Sequence, residues 1–415
     1  MPSSVSSPAD LNGRSRTLEE LRRVIRRIEN VRATRPVPEP IERLVGGEVV
    51  DTGGGPLVVV RREYPLSHRH GRLALGDALD VAVPALELLA PLGAPSDPRG
   101  LLFLDTETTG LAGGTGTYAF LVGAAFLENE RFVLVQHFMR DFDEESALLA
   151  ALDPLLDRAS GLVTFNGGGF DLPLLETRFV LARRRWPATL AHVDLLRPAR
   201  RMWSAHFDDC RLPTLEREVL GLVRENDVPG YLIPALYFDF LRYRRAAPLA
   251  RVFEHNRDDV LSLATLLGWF ARALTDDADL AAGELAGVGR LWERCDPGRA
   301  AVYYERALSA GLAGDEGHRV RLRLARWQKR QARWNEACAL WQEASAARVF
   351  DVTPWEELAK YHEHRRRDFG TALGIVQDAL ALAQASKAPV RALDALVYRL
   401  SRLERRTRRA VTAPA

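Results

Sequence analysis

The stretch that decides the fold is LLFLDTETTG at Leu101–Gly110, in which four apolar residues run directly into two acids separated by one threonine. The apolar run predicts a buried β-strand. Side chains alternate along a strand, so Asp105 and Glu107 project to the same face while Thr106 points away. Carboxylates this close repel each other and raise each other's pKa unless a hard cation neutralises them. The pattern predicts a cation-binding strand end; a solvated strand end with acids in a turn is the alternative.

A second aspartate follows the next predicted strand of this type, Gly161–Phe165. That strand leads into Asn166, three glycines, Phe170 and Asp171. An aspartate just after glycines at a strand-to-helix junction faces open space, because glycine lets a ligand or a backbone approach closely. The alternative is an ordinary aspartate at a helix N-terminus.

A third group of polar residues lies in FEHNRDDVLSL at 253–263, where the apolar spacing predicts a helix. His255 and Asp259 are four residues apart and therefore share one helix face. An exposed helix surface is the alternative interpretation of this pair.

The three motifs DTETTG, FNGGGFD and HNRDDV occur in an order that resembles the DEDD exonucleases of the DnaQ-like, ribonuclease H-like superfamily. More narrowly, GGTGTY at 113–118, RLPTLEREVLG at 211–221 and PGYLIPALYFDFL at 229–241 look like the bacterial YprB-type proteins. The resemblance implies an α/β ribonuclease H-like fold with a mixed five-stranded sheet flanked by helices.

The resemblance also implies a set of metal ligands: Asp105, Glu107, Asp171 and Asp259 hold two divalent cations, Mg²⁺ or Mn²⁺. In that interpretation Asp105 bridges the cations, Glu107 and Asp259 complete one site, and Asp171 supports the other. Hard oxygen ligands are those that such cations prefer, and a cation pair both activates water and neutralises charge on a phosphate.

His255 matches the residue that orients or deprotonates the attacking water. Here the chain departs from the family pattern: the histidine subclass places its histidine five residues before the last aspartate, whereas the spacing here is the four residues of the tyrosine subclass. Asp258 and Asp259 can exchange roles, and Asp259 is preferred because Val260 follows it. Substrate contacts are expected from four residues: Thr108, Thr109, Asn166 and Phe170.

The resemblance implies a metal-dependent nuclease, with a 3′–5′ exonuclease on single-stranded DNA or RNA as the leading hypothesis. One alternative is a non-catalytic nucleic-acid-binding or scaffold protein, and another is a structure-selective endonuclease. The motifs do not choose between DNA and RNA, because discrimination of the 2′-hydroxyl depends on contacts in the pocket.

The chain of 415 residues is too long for one ordinary domain. We expect a disordered leader at 1–16, an N-terminal helix with short strands and a linker at 17–98, the nuclease-like domain at 99–275 and a helical domain at 276–410. The first helix is predicted from the apolar spacing between Leu18 and Ile28.

The predicted helical domain contains repeated segments. AAVYYERAL at 300–308, ACALWQEAS at 337–345 and ALGIVQDAL at 372–380 start 37 and 35 residues apart, and LARW at 324–327 recurs as LAKY at 358–361. Two interleaved helical series near a 34-residue period indicate tetratricopeptide-like hairpins, which commonly recruit protein partners. A plain helical bundle is the alternative.

Composition and charge limit the functional classes. The 47% hydrophobic and 27% charged residues are typical of a folded globular protein. Three dispersed cysteines without a CxxC pair indicate neither a disulfide framework nor a thiolate zinc site. The N-terminus lacks a signal-peptide pattern, and the apolar run at Tyr118–Leu127 is too short for a membrane helix, so we expect a cytoplasmic protein.

The net charge of +2 conceals a division along the chain. Residues 101–275 contain 19 basic and 23 acidic residues, and residues 276–415 contain 24 basic and 19 acidic ones. We therefore expect the helical domain to attract a polyanion. Two arginine groups are candidates for phosphate contacts, although arginines at helical spacing usually form a solvated face: Arg183–Arg185, and tail arginines 399, 402, 405, 406, 408 and 409.

Other polar groups predict structural roles. His68 and His70 have no third metal ligand nearby, so a surface turn is favoured over zinc. His192 and Asp194 are expected to belong to a strand end near the site, with a role in core structure. The glycines at 113, 114 and 116 form no nucleotide-binding GxGxxG that opens a helix.

Overall fold

The computed structural model describes residues 39–90, 93–110, 114–187, 190–275, 278–347 and 349–412, without the side chains of 409–412. The predicted leader, the predicted helix at 18–28 and the glycine at 113 lie outside the described residues.

The strands are β1 (Glu48–Asp51), β2 (Pro56–Pro65), β3 (Arg69–His70), β4 (Leu73–Ala74), β5 (Leu101–Thr108), β6 (Ala119–Glu128), β7 (Arg131–Phe138), β8 (Gly161–Thr164) and β9 (Ala191–Asp194). The α-helices before residue 275 are α1 (Ile41–Leu44), α2 (Val83–Leu89), α3 (Glu145–Arg158), α4 (Asp171–Leu181), α5 (Leu196–Trp203), α6 (Leu212–Leu215), α7 (Ile233–Tyr243) and α8 (Ala247–Ala273). The later ones are α9 (Ala282–Trp292), α10 (Pro297–Ser309), α11 (Gly314–Arg330), α12 (Trp334–Ser345), α13 (Val352–Tyr361), α14 (Phe369–Ala385) and α15 (Val390–Thr412). Short 3₁₀ turns lie at 75–80, 98–100, 142–144, 167–169 and 230–232, and π-turns at 216–220 and 362–366.

Among the described residues, seven strands form one mixed sheet in the order β1-β2-β7-β6-β5-β8-β9. The expectation of five strands is wrong, because residues 58–65 of β2 pair antiparallel with the whole of β7 and β1 then pairs with β2. Without β2 the edge of β7 would expose a row of unpaired backbone groups. The short strands predicted before residue 98 thus extend the sheet. The remaining two strands, β3 and β4, form a separate hairpin.

The central strand β5 pairs parallel with β8 and antiparallel with β6. Its alternate residues face two cores: Leu102 and Leu104 pack among residues of α3 and α4, whereas Leu101 and Phe103 pack on the side of α8. Continuing this alternation places Asp105 and Glu107 on the α8 side and Thr106 on the α4 side. The alternation of side chains along β5 therefore determines which helix each polar residue contacts.

The helical region after residue 278 is joined to the sheet domain by one continuous core. The core cluster that contains Phe103 continues through α8 into α9, α10 and α11. Helix α9 packs closely on α5, where a Cβ added to Gly287 would lie 2.8 Å from the sulfur of Met202. Arg290 donates hydrogen bonds to the carbonyl oxygens of Arg201 (2.6 Å) and Met202 (2.8 Å).

The repeated segments found in the sequence lie in equivalent helices. The first series falls in α10, α12 and α14, and the second in α11 and α13. The small residues shared by the first series are all buried: Ala300, Ala307, Ala337, Ala344, Ala372 and Ala379. Alanine at these positions lets neighbouring helices approach closely. In the part of the chain that the structure describes, no helix is both long and apolar enough to cross a membrane.

Candidate active site

Two acids of β5 form the first part of the site. Asp105 is half-buried and Glu107 is 8% exposed, and both lie on the face of the strand covered by α8. The pairing of β5 with β6 shifts register after Glu107, which marks the end of the regular strand. The strand thus carries both carboxylates to its end, beside a helix that supplies the partners described next.

A buried amide network fixes the orientation of Asp105. Asn256 of α8 donates from Nδ2 to Oδ2 of Asp105 (2.9 Å), and its Oδ1 accepts from Nε2 of Gln136 (2.9 Å). Gln136 in turn accepts from Arg62 of β2 (2.8 Å). The helix comes so close to β6 that a Cβ added to Gly123 would lie 2.2 Å from Oδ1 of Asn256. Three strands and one helix therefore hold this carboxylate.

Asp171 reaches the site from the opposite side, at the first residue of α4. It is 7% exposed, and its Oδ1 accepts a hydrogen bond from the hydroxyl of Thr106. The preceding turn is held by Asp194, whose carboxylate accepts from the backbone N–H groups of Asn166 (2.8 Å) and Gly168 (3.3 Å). Asn166 adopts a left-handed backbone with φ of 65°. These hydrogen bonds give Asp194 a structural role near the site, as expected from the sequence.

Three acids surround the ring of His255 on α8. Its Nε2 is 3.9 Å from Oε1 of Glu107 and 3.5 Å from Oδ2 of Asp259, and its Nδ1 is 2.7 Å from Oδ1 of Asp227. Ligand atoms of Glu107, His255 and Asp259 all lie within 4.8 Å of one another. The neighbouring Asp258 pairs instead with Arg257 (2.8 Å).

Arg224 is a buried cation that the sequence analysis missed. Its guanidinium is 7% exposed, binds both Glu216 and Asp259, and lies 3.6 Å from Asp227. Burial alone would lower the pKa of Arg224, but the attraction of Asp259 and Glu216 outweighs burial and raises it. The only sequence signal was indirect, since Glu216 lies in the RLPTLEREVLG segment that resembles YprB-type proteins.

The ion pair continues into the core. Ser262 of α8 donates to Oε1 of Glu216 (2.5 Å), and its hydroxyl lies 2.8 Å from Nε2 of His70. His70 is buried, and burial lowers its pKa to about 4. His68 instead contacts the ring of Tyr64, 4.8 Å away between centroids. The two histidines thus have separate surroundings, although only a surface turn was expected here.

The environment of the site disfavours the ionised form of three of its carboxylic acids. Burial and the neighbouring Asp259 and Asp171 raise the pKa of Asp105 well above its ordinary value, and burial with Asp105 and Asp259 does the same for Glu107. Burial raises the pKa of Asp171 to about 6, against the hydrogen bond from Thr106. Several ionised carboxylates in one buried site are the donor set that a divalent cation requires, so the residues present fit such a cation.

The expected substrate-contact residues lie around this cluster. The hydroxyl of Thr108 donates to the carbonyl of Gly110 (2.8 Å), and that of Thr109 accepts from the N–H of Tyr118 (3.0 Å), so both brace the loop that follows β5. Asn166 is exposed and Phe170 is half-buried. Their contacts with a substrate stay predictions.

The comparisons with known proteins agree with this architecture. Residues 102–271 match the family described as the RNase_H superfamily. Over 352 residues the chain is 34% identical to an uncharacterized protein, YprB, of Bacillus subtilis strain 168, a match that covers 83% of this chain and 84% of the relative. The chain therefore belongs to the YprB family and carries a domain of the ribonuclease H superfamily.

Proposed function

We propose that this protein is a divalent-cation-dependent nuclease that acts as a 3′–5′ exonuclease on single-stranded DNA or RNA. Membership of the ribonuclease H superfamily indicates a nuclease in general, and nucleases of this fold generally use divalent metals. The observation that supports the finer proposal is the cluster of Glu107, His255 and Asp259, whose ligand atoms lie within 4.8 Å of one another. Asp105 and Asp171 are near enough to raise the pKa of Glu107 and are proposed to complete the site.

The four acids are the residues that would hold the cations. Burial first, and neighbouring acids after it, raise the pKa values of Asp105, Glu107 and Asp171, so the ionised forms of these carboxylates are disfavoured without a cation. When bound, two divalent cations supply charge neutralisation at the phosphate and a water of lowered pKa. Thr106 and Asn256 hold Asp171 and Asp105 in place, so the carboxylates are positioned before any cation arrives.

His255 is the residue proposed to position or deprotonate the attacking water. Two groups approach its Nδ1: the carboxylate of Asp227 at 2.7 Å and Nη1 of Arg224 at 3.5 Å. We assign the ring proton to Nδ1, because the shorter contact is with an acceptor. Nε2 is then unprotonated and faces the acidic cluster, where it can accept a proton from water.

The test is cleavage of labelled oligonucleotides by the purified protein with Mn²⁺ or Mg²⁺. A 5′-labelled single strand should shorten stepwise from its 3′ end, whereas a circular single strand should remain intact. Chelation and the substitution Asp105→Asn should both abolish cleavage. Glu254→Gln is the control, since Glu254 is an exposed acid on α8, the helix that carries His255 and Asp259. Cleavage that persists unchanged in Asp105→Asn would refute the proposed site.

The same experiment separates the other functions. Cleavage of the circular strand would favour an endonuclease, and binding without any cleavage would favour a scaffold protein. Parallel DNA and RNA substrates identify the preferred sugar.

We also propose that the helical region forms tetratricopeptide-like hairpins and that the domain boundary lies near residue 275. The buried alanines at matching positions of α10, α12 and α14 support the first proposal. Recruitment of a protein partner by these hairpins stays a prediction.

A further inference from the structure

A basic groove lies in the helical region, away from the acidic cluster. It has a volume of about 490 Å³ and is lined by the end of α9 and by α10 and α11. Five arginines line it: Arg294, Arg319, Arg323, Arg326 and Arg330. Glu293 is the single acid among the described residues that line it. The groove therefore carries a strong net positive charge.

Four of these arginines form one stripe along α11. Residues 319, 323, 326 and 330 are separated by four, three and four positions, which places them within roughly 60° of the helix circumference over a length of about 16 Å. The buried residues of this helix, including Val320 and Leu324, anchor its other side in the core. The helix is thus held rigidly with its arginines towards the groove.

Four of the five groove arginines have no charged or hydrogen-bonding partner among the residues that the structure describes. Arg323 pairs with Glu293. Arg294, Arg319, Arg326 and Arg330 make no ion pair or hydrogen bond to another described residue. Side chains that fold without a counter-charge keep their hydrogen-bonding capacity for a ligand.

Three of the tail arginines that were expected from sequence to contact phosphate are paired within the protein. Arg399, Arg402 and Arg406 pair with Glu363, a carboxylate whose side chain is 0% exposed. Of the other expected group, Arg184 pairs with Asp153. These ion pairs join α15 to the π-turn at 362–366 and the segment after α4 to α3. The four paired arginines therefore have structural contacts that the unpaired groove arginines lack.

We propose that this groove binds the phosphate backbone of single-stranded nucleic acid. The planar guanidinium group matches phosphate oxygens in a bidentate fork. Trp327 lines the same groove; it packs partly against the core, and the guanidinium of Arg333 lies 5.5 Å from its ring centroid. The exposed part of an indole ring gives a base a surface on which to stack. The inference rests on the proposed function only in taking nucleic acid as the substrate. Residues 101–275 have more acidic than basic residues and provide little positive charge to hold a polyanion, so the helical region is the better place for phosphate contacts.

The test measures binding separately from cleavage. The full chain with Asp105→Asn is titrated against a fluorescent 20-nucleotide single strand in chelator, and anisotropy is followed from 50 to 200 mM salt. The triple variant Arg319→Gln, Arg326→Gln and Arg330→Gln removes three unpaired groove cations. The matched control is Arg366→Gln, Arg367→Gln and Arg391→Gln, three exposed arginines that also lack a partner among the described residues.

Each phosphate contact contributes about 0.7 to the slope of log affinity against log salt for a single strand, so the groove triple should lower the slope by about 2. Between 50 and 200 mM salt, the factor by which affinity falls should be about twentyfold smaller for the groove triple than for the parent. The control triple should keep the parent's slope. Circular dichroism confirms that all variants fold.

Three results would overturn the proposal: an unchanged slope in the groove triple, an equal change in the control triple, or no binding by the parent. Displacement of the strand by poly-glutamate at an equal concentration of charges would also overturn it in favour of an acidic protein partner. Failure of the proposed nuclease is distinguishable, since binding is measured without cations and without cleavage.

Discussion

Asp171 provides a direct test of the electrostatics of the site, because replacing it by asparagine should stabilise the protein when no cation is bound. Asparagine keeps the oxygen that accepts from Thr106 but carries no charge. The pKa of Asp171 is raised from 3.8 to about 6. A shift of about two units corresponds to about 3 kcal/mol at pH 8, where both folded and unfolded forms are ionised. Asp171→Asn should therefore raise the free energy of unfolding by about 3 kcal/mol.

The sign of the effect follows from the direction of the shift. Since the folded pKa lies above the unfolded one, the stability that protonated Asp171 contributes is fully present below pH 3.8 and is lost as pH rises through about 6. The advantage of the asparagine variant should thus fall to about half its full value near pH 5.

The assay is urea unfolding in chelator at pH 8 and pH 5, followed by tryptophan fluorescence. Asp157→Asn is the matched control, because Asp157 is an exposed aspartate on α3. Adding Mn²⁺ should stabilise the parent more than Asp171→Asn and so close the gap. If Asp171→Asn is no more stable than the parent at pH 8 in chelator, the free-energy cost inferred for burying the ionised carboxylate of Asp171 is refuted.

Three other perturbations have defined outcomes. Gly123→Ala should lower the free energy of unfolding by about 1 to 3 kcal/mol, because the added Cβ collides with Asn256; thermal unfolding measures this, and an unchanged midpoint would contradict the close approach. Asp227→Asn should reduce kcat about 10- to 100-fold with little change in KM, because the carboxylate of Asp227 orients the ring of His255; a change confined to KM would exclude this positioning role. Glu363→Ala should cost about 3 kcal/mol by leaving the arginines of α15 without their shared carboxylate, and calorimetry that shows no loss would mean these pairs contribute nothing.

Much of the central domain could be predicted from local patterns. The apolar run at Leu101–Leu104 predicted β5, and the apolar runs at Tyr118–Phe126 and Phe132–Phe138 have the pattern of buried strands and fall almost wholly within β6 and β7. The number of strands could not be predicted, because the partner of β2 is β7, more than 60 residues later in the chain. Pairing between distant strands depends on the assembled edge, which no local window contains.

The acids of the site were found from sequence because each lies at the end of a strand or on a helix face with a recognisable spacing. Arg224 and Asp227 were not found, because they lie in a segment without regular spacing between the π-turn and α7. Their importance comes only from contact with Asp259 and His255, about 30 residues away in the chain.

The sequence by itself determined the ribonuclease H-like class, the four acids and the histidine that are proposed as site residues, and the uneven division of charge along the chain, since residue type, spacing and charge are local properties. The tertiary structure alone decided the rest: that Arg224 neutralises Asp259, that Asn256 holds Asp105, and which arginines remain unpaired. The physical reason is that burial and ion pairing depend on neighbours that folding brings together from distant parts of the chain. Arg402 and Arg326 have the same side chain. Arg402 has a structural role because the buried Glu363 lies beside it, whereas Arg326 has no such partner among the described residues and is proposed to bind phosphate.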